Sequence, residues 1–287
     1  MEVALAATNA DGLANRLKCL VSAWRQDPQA RIRWVAAPIC SAPLDALFAD
    51  ADKMAVPVGA RVRRELGTWR LLLAPADAKH VPAGFSSVRE FYGSETGWRD
   101  IDFEYSRIPR AVRDAFLPLF RRLRPQADVA ALVEAFAWSR GFDAHTVAVH
   151  VRSWPDSAER RAKFFDLDAY ERAMRAVASE DPKVAFFVCS DQSAHRDELV
   201  RRFAGRAVAL KVDRDRAPAV HCLVELLLLA RGRTLIASHV STLSELAWWM
   251  GGCTARVLVV CKGRAPVDFP APRLSEREPQ HDAERGH

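Results

Sequence analysis

Residues 146–151 read Thr-Val-Ala-Val-His-Val, a β-branched run with no polar alternation. That pattern marks a strand buried on both faces. Four more apolar runs follow, at 184–190 (VAFFVCS), 207–212, 234–237 and 256–261 (RVLVVC). Between them the spacing predicts helices over 166–179, 193–203, 219–230 and 241–250. In the first of these Leu167, Tyr170, Met174 and Val177 share one side. Gly251-Gly252 stops the last, as glycine does where a helix must end in a left-handed turn. Continuous apolar strands alternating with amphipathic helices predict an α/β fold with a parallel sheet covered on both faces.

Reading backward from residue 146, the same alternation opens the chain. A strand over 3–7 and a turn-rich loop precede a helix over 15–25 with Leu17, Leu20, Val21 and Trp24 on its apolar face, then a strand over 32–36. Glycine- and proline-containing breaks at 57–59, 80–84 and 93–97 interrupt the pattern before helical stretches at 110–123 and 129–140. The division expected is an N-terminal Rossmann-like unit over 1–143, a C-terminal one over 144–262, and a polar, proline-rich tail over 263–287 without structure. Two open parallel sheets imply a cleft, with ligands beyond the carboxyl ends of the strands.

The composition fits that picture. The 287 residues are 49% hydrophobic and 27% charged, as in globular chains. No apolar run reaches the roughly 18–20 residues of a membrane span, and the first residues lack the basic lead of a secretory signal. A cytoplasmic location is expected. The six cysteines, Cys19, Cys40, Cys189, Cys222, Cys253 and Cys261, form no C-x-x-C pair and read as reduced core residues. The net charge of +6 is spread along the chain. It suits an anionic ligand, and no nucleic-acid-binding module accompanies it.

Three strand ends carry possible chemistry. The first is the loop Asp11-Gly12-Leu13-Ala14-Asn15-Arg16, where a glycine permits a sharp turn close to a ligand and a helix start offers N–H groups to an anion or sugar hydroxyl. It also reads simply as a capped turn. The second is His150-Val151-Arg152, where an arginine at a strand end would grip two phosphate oxygens with its planar fork. In glycosyl transfer the departing nucleoside diphosphate gains negative charge, so a fixed cation favours the transition state without a metal. The alternative is a surface ion pair for Arg152 and a hydrogen-bonded structural role for His150. The third is Ser238-His239-Val240-Ser241-Thr242-Leu243-Ser244-Glu245, which reads as a helix cap, with Ser244 or Glu245 completing a capping box, or as a phosphate-receiving helix start. Asp191, ending the strand over 184–190, either binds a base or ribose or caps the next helix.

These blocks, in this order, resemble the NodZ-like and α1,6-fucosyltransferase superfamily, which includes the protein O-fucosyltransferases. The loop at Asp11–Arg16, the His150-Val151-Arg152 signature, the strand ending Ser190-Asp191 and the serine-rich turn from Ser238 to Ser244 carry the resemblance, over residues 1–260. It implies a GT-B-like fold and an inverting, metal-independent transfer from GDP-fucose to a glycan acceptor. It also implies that Arg152 holds the diphosphate, Asp191 the nucleoside and Ser241 a phosphate, with His150, Ser238, Thr242 and Ser244 around the donor. Gly12, Leu13, Asn15 and Arg16 would lie beside the donor sugar or acceptor. Ser153 stands where many relatives carry a second basic residue. Asp156 and Glu159 are the nearest candidate bases, or solvated surface acids. A binding module of the same fold that does not transfer sugar is the alternative function.

Overall fold

The computed structural model describes residues 6–8, 12–34, 37–56, 61–65, 68–72, 81–82, 108, 110–211 and 218–271. Its centre is a six-stranded sheet made of β6 (Thr146–Val151), β7 (Ala185–Ser190), β8 (Ala207–Val208), β9 (Thr234–Ser238), β10 (Arg256–Val260) and β11 (Val267–Phe269). The spatial order is β11-β10-β9-β6-β7-β8, with all neighbours parallel except the β10–β11 pair. The chain therefore enters the sheet at β6, steps outward through β7 and β8, then crosses back to place β9 on the other side of β6. That reversal leaves the crevice in which α/β sheets of this kind take ligands, beyond the carboxyl ends of β6 and β9.

Alternate residues of β6 feed two cores. Val147, Val149 and Val151 pack on α6 (Leu167–Glu180) through Ala169, Tyr170, Ala173, Met174 and Val177. Ala148 faces the opposite core, with α8 (Pro218–Leu229) and α9 (Thr242–Met250). Gly232, at the approach to β9, is required by space: a Cβ there would lie 2.7 Å from that of Ala148 and 2.9 Å from its backbone nitrogen. Helix α9 ends at Gly251-Gly252, where Gly252 (φ 77°) donates to the Trp249 carbonyl and Cys253 to that of Trp248. That is the paired closing pattern a left-handed glycine allows. All six cysteines are free thiols, five of them buried.

The first half supplies β1 (Ala6–Thr8), parallel to β2 (Arg31–Arg33), with α1 (Leu13–Gln26) between them. Short α2 (Ala51–Met54) follows. A three-stranded antiparallel sheet, β3 (Arg61–Glu65), β4 (Thr68–Leu72) and β5 (Val81–Pro82), lies in the stretch whose periodicity is broken. Helices α3 (Arg110–Phe120) and α4 (Ala127–Ser139) lead into the large sheet. Phe120 stacks on Trp249 at 5.1 Å between ring centres, joining α3 to α9. Lys18 of α1 forms a fully enclosed ion pair of 2.8 Å with Glu245 of α9, which also accepts from the Trp249 indole at 3.2 Å.

Several elements differ from the sequence expectation. The stretch from 263 contains β11, which covers the β10 edge and is pinned by Arg256 to Asp268 at 2.7 Å. Residues 267–269 are thus part of the sheet, and residues 272–287 lie outside the described residues. The strand at 207–212 shrinks to two residues, and 158–164, which the sequence pattern leaves unassigned, is helix α5 (Ala158–Phe164). Of the expected strands, residues 3–5 and 35–36 lie outside the described residues. No helix among the described residues is long and apolar enough to cross a membrane.

Candidate functional site

At the crevice between β6 and β9 the backbone is knitted together by one hydroxyl. Ser238 Oγ donates to the His150 carbonyl at 2.8 Å, accepts from the Arg152 N–H at 2.7 Å, and lies 2.7 Å from the Tyr170 hydroxyl. A serine oxygen has one proton and two lone pairs, so Ser238 is saturated. Behind it, His150 Nδ1 lies 2.7 Å from Ser244 Oγ and 3.4 Å from Ser241 Oγ, and Ser244 Oγ accepts from the Ser238 N–H at 3.2 Å. His150, Ser238, Ser241, Ser244 and Tyr170 are all buried. Burial holds the Tyr170 phenol protonated, its pKa pushed far above the usual value, with the Ser238 contact opposing the shift. These side chains form the frame of the site. Thr242, the first residue of α9, is half-buried at its rim.

Ser241 caps α9 by accepting from the Ser244 N–H at 3.4 Å, which is the plain capping reading of that motif. Glu245 does not complete a capping box and instead turns inward to Lys18.

Arg152 emerges from β6 half-buried, its side chain 28% exposed. Its guanidinium donates to Asp191 at 2.9 Å and to Asp156 at 3.4 Å, and lies 4.8 Å over the Trp154 ring. The surface-pair alternative therefore holds for the Asp156 contact, but Arg152 also sits at the strand-order reversal. Asp191 accepts from the Ser153 N–H and hydroxyl and the Trp154 N–H, at 2.7–3.2 Å. Its carboxylate is thus turned to the loop after β6. It does not cap α7 (Ser193–Arg202), where Ser190 Oγ accepts from the Gln192 N–H instead. Asp156 and Glu159 are both exposed.

Two bulky residues in this region adopt left-handed backbone, Trp154 (φ 55°) after β6 and Val240 (φ 57°) after β9. Such conformations cost about 1–3 kcal/mol each and gather where loops are held for a purpose. His239, beside Val240, packs against Phe164 at 5.1 Å between ring centres. Burial, then Arg264 and Lys163, hold its pKa below the usual 6.5.

The loop expected near the sugar or acceptor begins α1. Gly12 has φ −63° and ψ 165°, open to any residue, and among the described residues a Cβ there would meet only Ile39, at 3.9 Å. A sharp turn is therefore not what this glycine provides. Leu13 is buried and Asn15 half-buried. Arg16 is fully enclosed, 4.8 Å over the Trp34 ring. Sequence reasoning missed the basic residues of α5, which lie over the aromatic residues at this end of the sheet. The signal was present as Arg160-Arg161-x-Lys163 close after Arg152. Among the described residues no group of three or more His, Cys, Asp or Glu side chains is arranged to hold a metal.

A six-stranded, mostly parallel sheet with strand order reversing beside an arginine-bearing strand end defines a GT-B-like α/β fold. Solved structures that it is similar to include fucosyltransferases: NodZ from Bradyrhizobium aligns with TM-score 0.61 and 16% identity, over 95% of this chain and 100% of that one. A NodZ alpha-1,6-fucosyltransferase soaked with GDP-fucose aligns with TM-score 0.58 and 16% identity, and one co-crystallized with GDP with 0.60 and 15%, each over 95% of this chain and 100% of that one. The resemblance read from the sequence blocks therefore extends to the fold. No protein-family model and no curated protein matches the chain.

Proposed function

We propose that this chain is a fucosyltransferase-like glycosyltransferase that moves fucose from GDP-fucose to a glycan hydroxyl, with inversion and without a metal. The observation that carries the reading is the position of Arg152, which leaves β6 at the reversal point of a fold shared along nearly its whole length with NodZ. The donor half is residues 144–262 and the acceptor half residues 1–143.

The acceptor oxygen attacks the anomeric carbon from the face opposite the diphosphate. The bond from that carbon to the phosphate oxygen breaks, and its electron pair leaves with GDP. Arg152 meets the growing charge, helped by the N–H groups that begin α9 beside Ser241 and Thr242. Asp191 and the Trp154 face fix the guanidinium plane beforehand. In this scheme Asp191 is a positioning residue. The 3.4 Å contact to exposed Asp156 is long and solvent-screened, so exchanging it for a phosphate oxygen costs little. The acceptor proton passes to Asp156, to Glu159 or to solvent.

A thermal-shift series with GDP, UDP, ADP and CMP, with magnesium and with a chelator, tests the reading. A ligand bound only by the native state stabilises it by about 2.7 kcal/mol at a hundred times its Kd. GDP alone should raise Tm, equally in both conditions. No shift with any nucleotide overturns the proposal, and a shift seen only with magnesium overturns its metal independence. A second reading, a nucleotide-sugar-binding protein that does not transfer, is favoured by the carboxylates already around Arg152. GDP binding without turnover over a broad acceptor panel would select it.

A further inference from the structure

Charge is unevenly neutralised over this molecule. On the helices flanking β7 and β8 the arginines are paired: Arg172 with Asp166, Arg175 with Glu171, Arg201 with Glu198, and Arg202 with Asp168, Glu171 and Glu198. On α5 the arrangement is different. Arg160 lies 5.1 Å over Trp154, Arg161 5.6 Å over Phe165, and Lys163 5.2 Å over Phe164. None of the three has a carboxylate partner among the described residues, although Glu159 is on the same helix. The Lys262 N–H donates to the Phe164 carbonyl at 3.0 Å, bringing the Lys262–Arg264 turn against the end of α5. All five cations are exposed. Lys163 and Arg264 both act on His239, so this cationic surface reaches the carboxyl end of β9.

Cations held on aromatic faces keep their position without spending their charge on a carboxylate. Such a surface attracts an anionic chain and focuses it next to the crevice. Because the cations cover the rings of Trp154, Phe164 and Phe165, those rings offer nucleic-acid bases little face for stacking, which single-strand binding relies on. We propose that α5, with Lys262 and Arg264, binds an anionic polysaccharide, one bearing carboxylates or sulfates along the chain, and presents it to the adjacent site. This rests on the transfer reading only in making that polysaccharide the acceptor.

The test measures binding of the full chain, without any nucleotide, to three oligosaccharides of matched length: a polyuronate, a sulfated glycan and a neutral dextran. A triple variant, R160E/R161E/K163E, is compared with wild type, and its thermal melt checks folding. Wild type should bind at least one anionic chain and not dextran, with affinity falling as salt rises. The triple variant should bind at least about tenfold more weakly, as expected when charge-steered contacts are reversed. The polyuronate and sulfated arms identify the anion. Equal binding by wild type and variant overturns the proposal. So does tighter binding of a single-stranded oligonucleotide of equal charge that the same variant abolishes. The nucleotide thermal shift is read separately: polysaccharide binding without a GDP shift would sink the transfer reading alone, and the reverse would sink this one alone.

Discussion

Ser238 is the atom-scale hinge of the site, because the His150 carbonyl, the Arg152 N–H and the Tyr170 hydroxyl all meet on its oxygen. Ser238→Ala would leave a buried backbone donor and a buried phenol without that partner, a loss of about 1–3 kcal/mol for an orphaned group. Tyr170→Phe removes one hydrogen bond and leaves the Arg152 N–H satisfied, so about 0.5–1.5 kcal/mol is expected. Urea denaturation of the two variants checks the order, and equal losses would contradict it. At Arg152 the expectation is kinetic. Arg152→Ala should cut turnover about 10²–10³-fold, the scale set by removing one donor to a developing anion, while melting near wild type. Wild-type-like turnover would remove the arginine from the mechanism. The His150-Val151-Arg152 block was legible because it ends a strand of one unbroken character. That Ser238, Ser244 and His150 would spend their polar atoms on one another was not, since it depends on β9 returning to the flank of β6 from 88 residues away.

The contact between α1 and α9 gives the element scale its sharpest expectation. Lys18 and Glu245 are 5% and 0% exposed and 2.8 Å apart. Removing one member of an enclosed pair typically costs about 3–5 kcal/mol, whereas replacing both with apolar groups of similar size is close to neutral. Glu245→Leu should therefore destabilise strongly, and K18M/E245L should recover most of the loss. A double variant as unstable as the single one would show that the pair's value lies elsewhere. Within α7, Arg201 and then Arg202 hold the Glu198 carboxyl down to about 2 from an ordinary 4.5. A depressed carboxylate contributes stability above its unfolded pKa and loses it as pH falls toward the folded one. Glu198→Gln should flatten the dependence of Tm on pH between about 4.5 and 2, and a slope as steep as in wild type would refute the assignment. The same scale shows why some elements escaped the sequence. The strand Arg61–Glu65 carries three arginines and a glutamate in five residues, α5 has only seven, and β11 holds three residues in a proline-rich stretch. Period and apolar content cannot register in so few positions. The long strands and helices from Thr146 to Val260 stood out because each repeats its pattern over several turns or residues.

For the whole molecule, the question is whether the two halves expected on either side of residue 143 are separate folding units. Buried contact argues against separation. One continuous core links Leu17 and Trp24 of α1, Ile32 of β2, Phe116 and Phe120 of α3, Leu226 of α8, Trp249 of α9 and Phe269 of β11. The enclosed Lys18–Glu245 pair crosses the same boundary. Were the N-terminal half to melt first, Glu245 would lose its cation and Trp249 its stacking partner Phe120, so the helix nearest the β9 loop would be destabilised with it. Scanning calorimetry should accordingly give one transition whose calorimetric and van't Hoff enthalpies agree, as for a single cooperative unit. If GDP engages the ends of β6 and β9 as proposed, it should move that whole transition upward. Two resolved transitions, with GDP moving only one, would mean that the shared core is too weak to couple the halves. The E245L variant then supplies the internal control: if the coupling runs through α9, it should lower the entire endotherm and not split it.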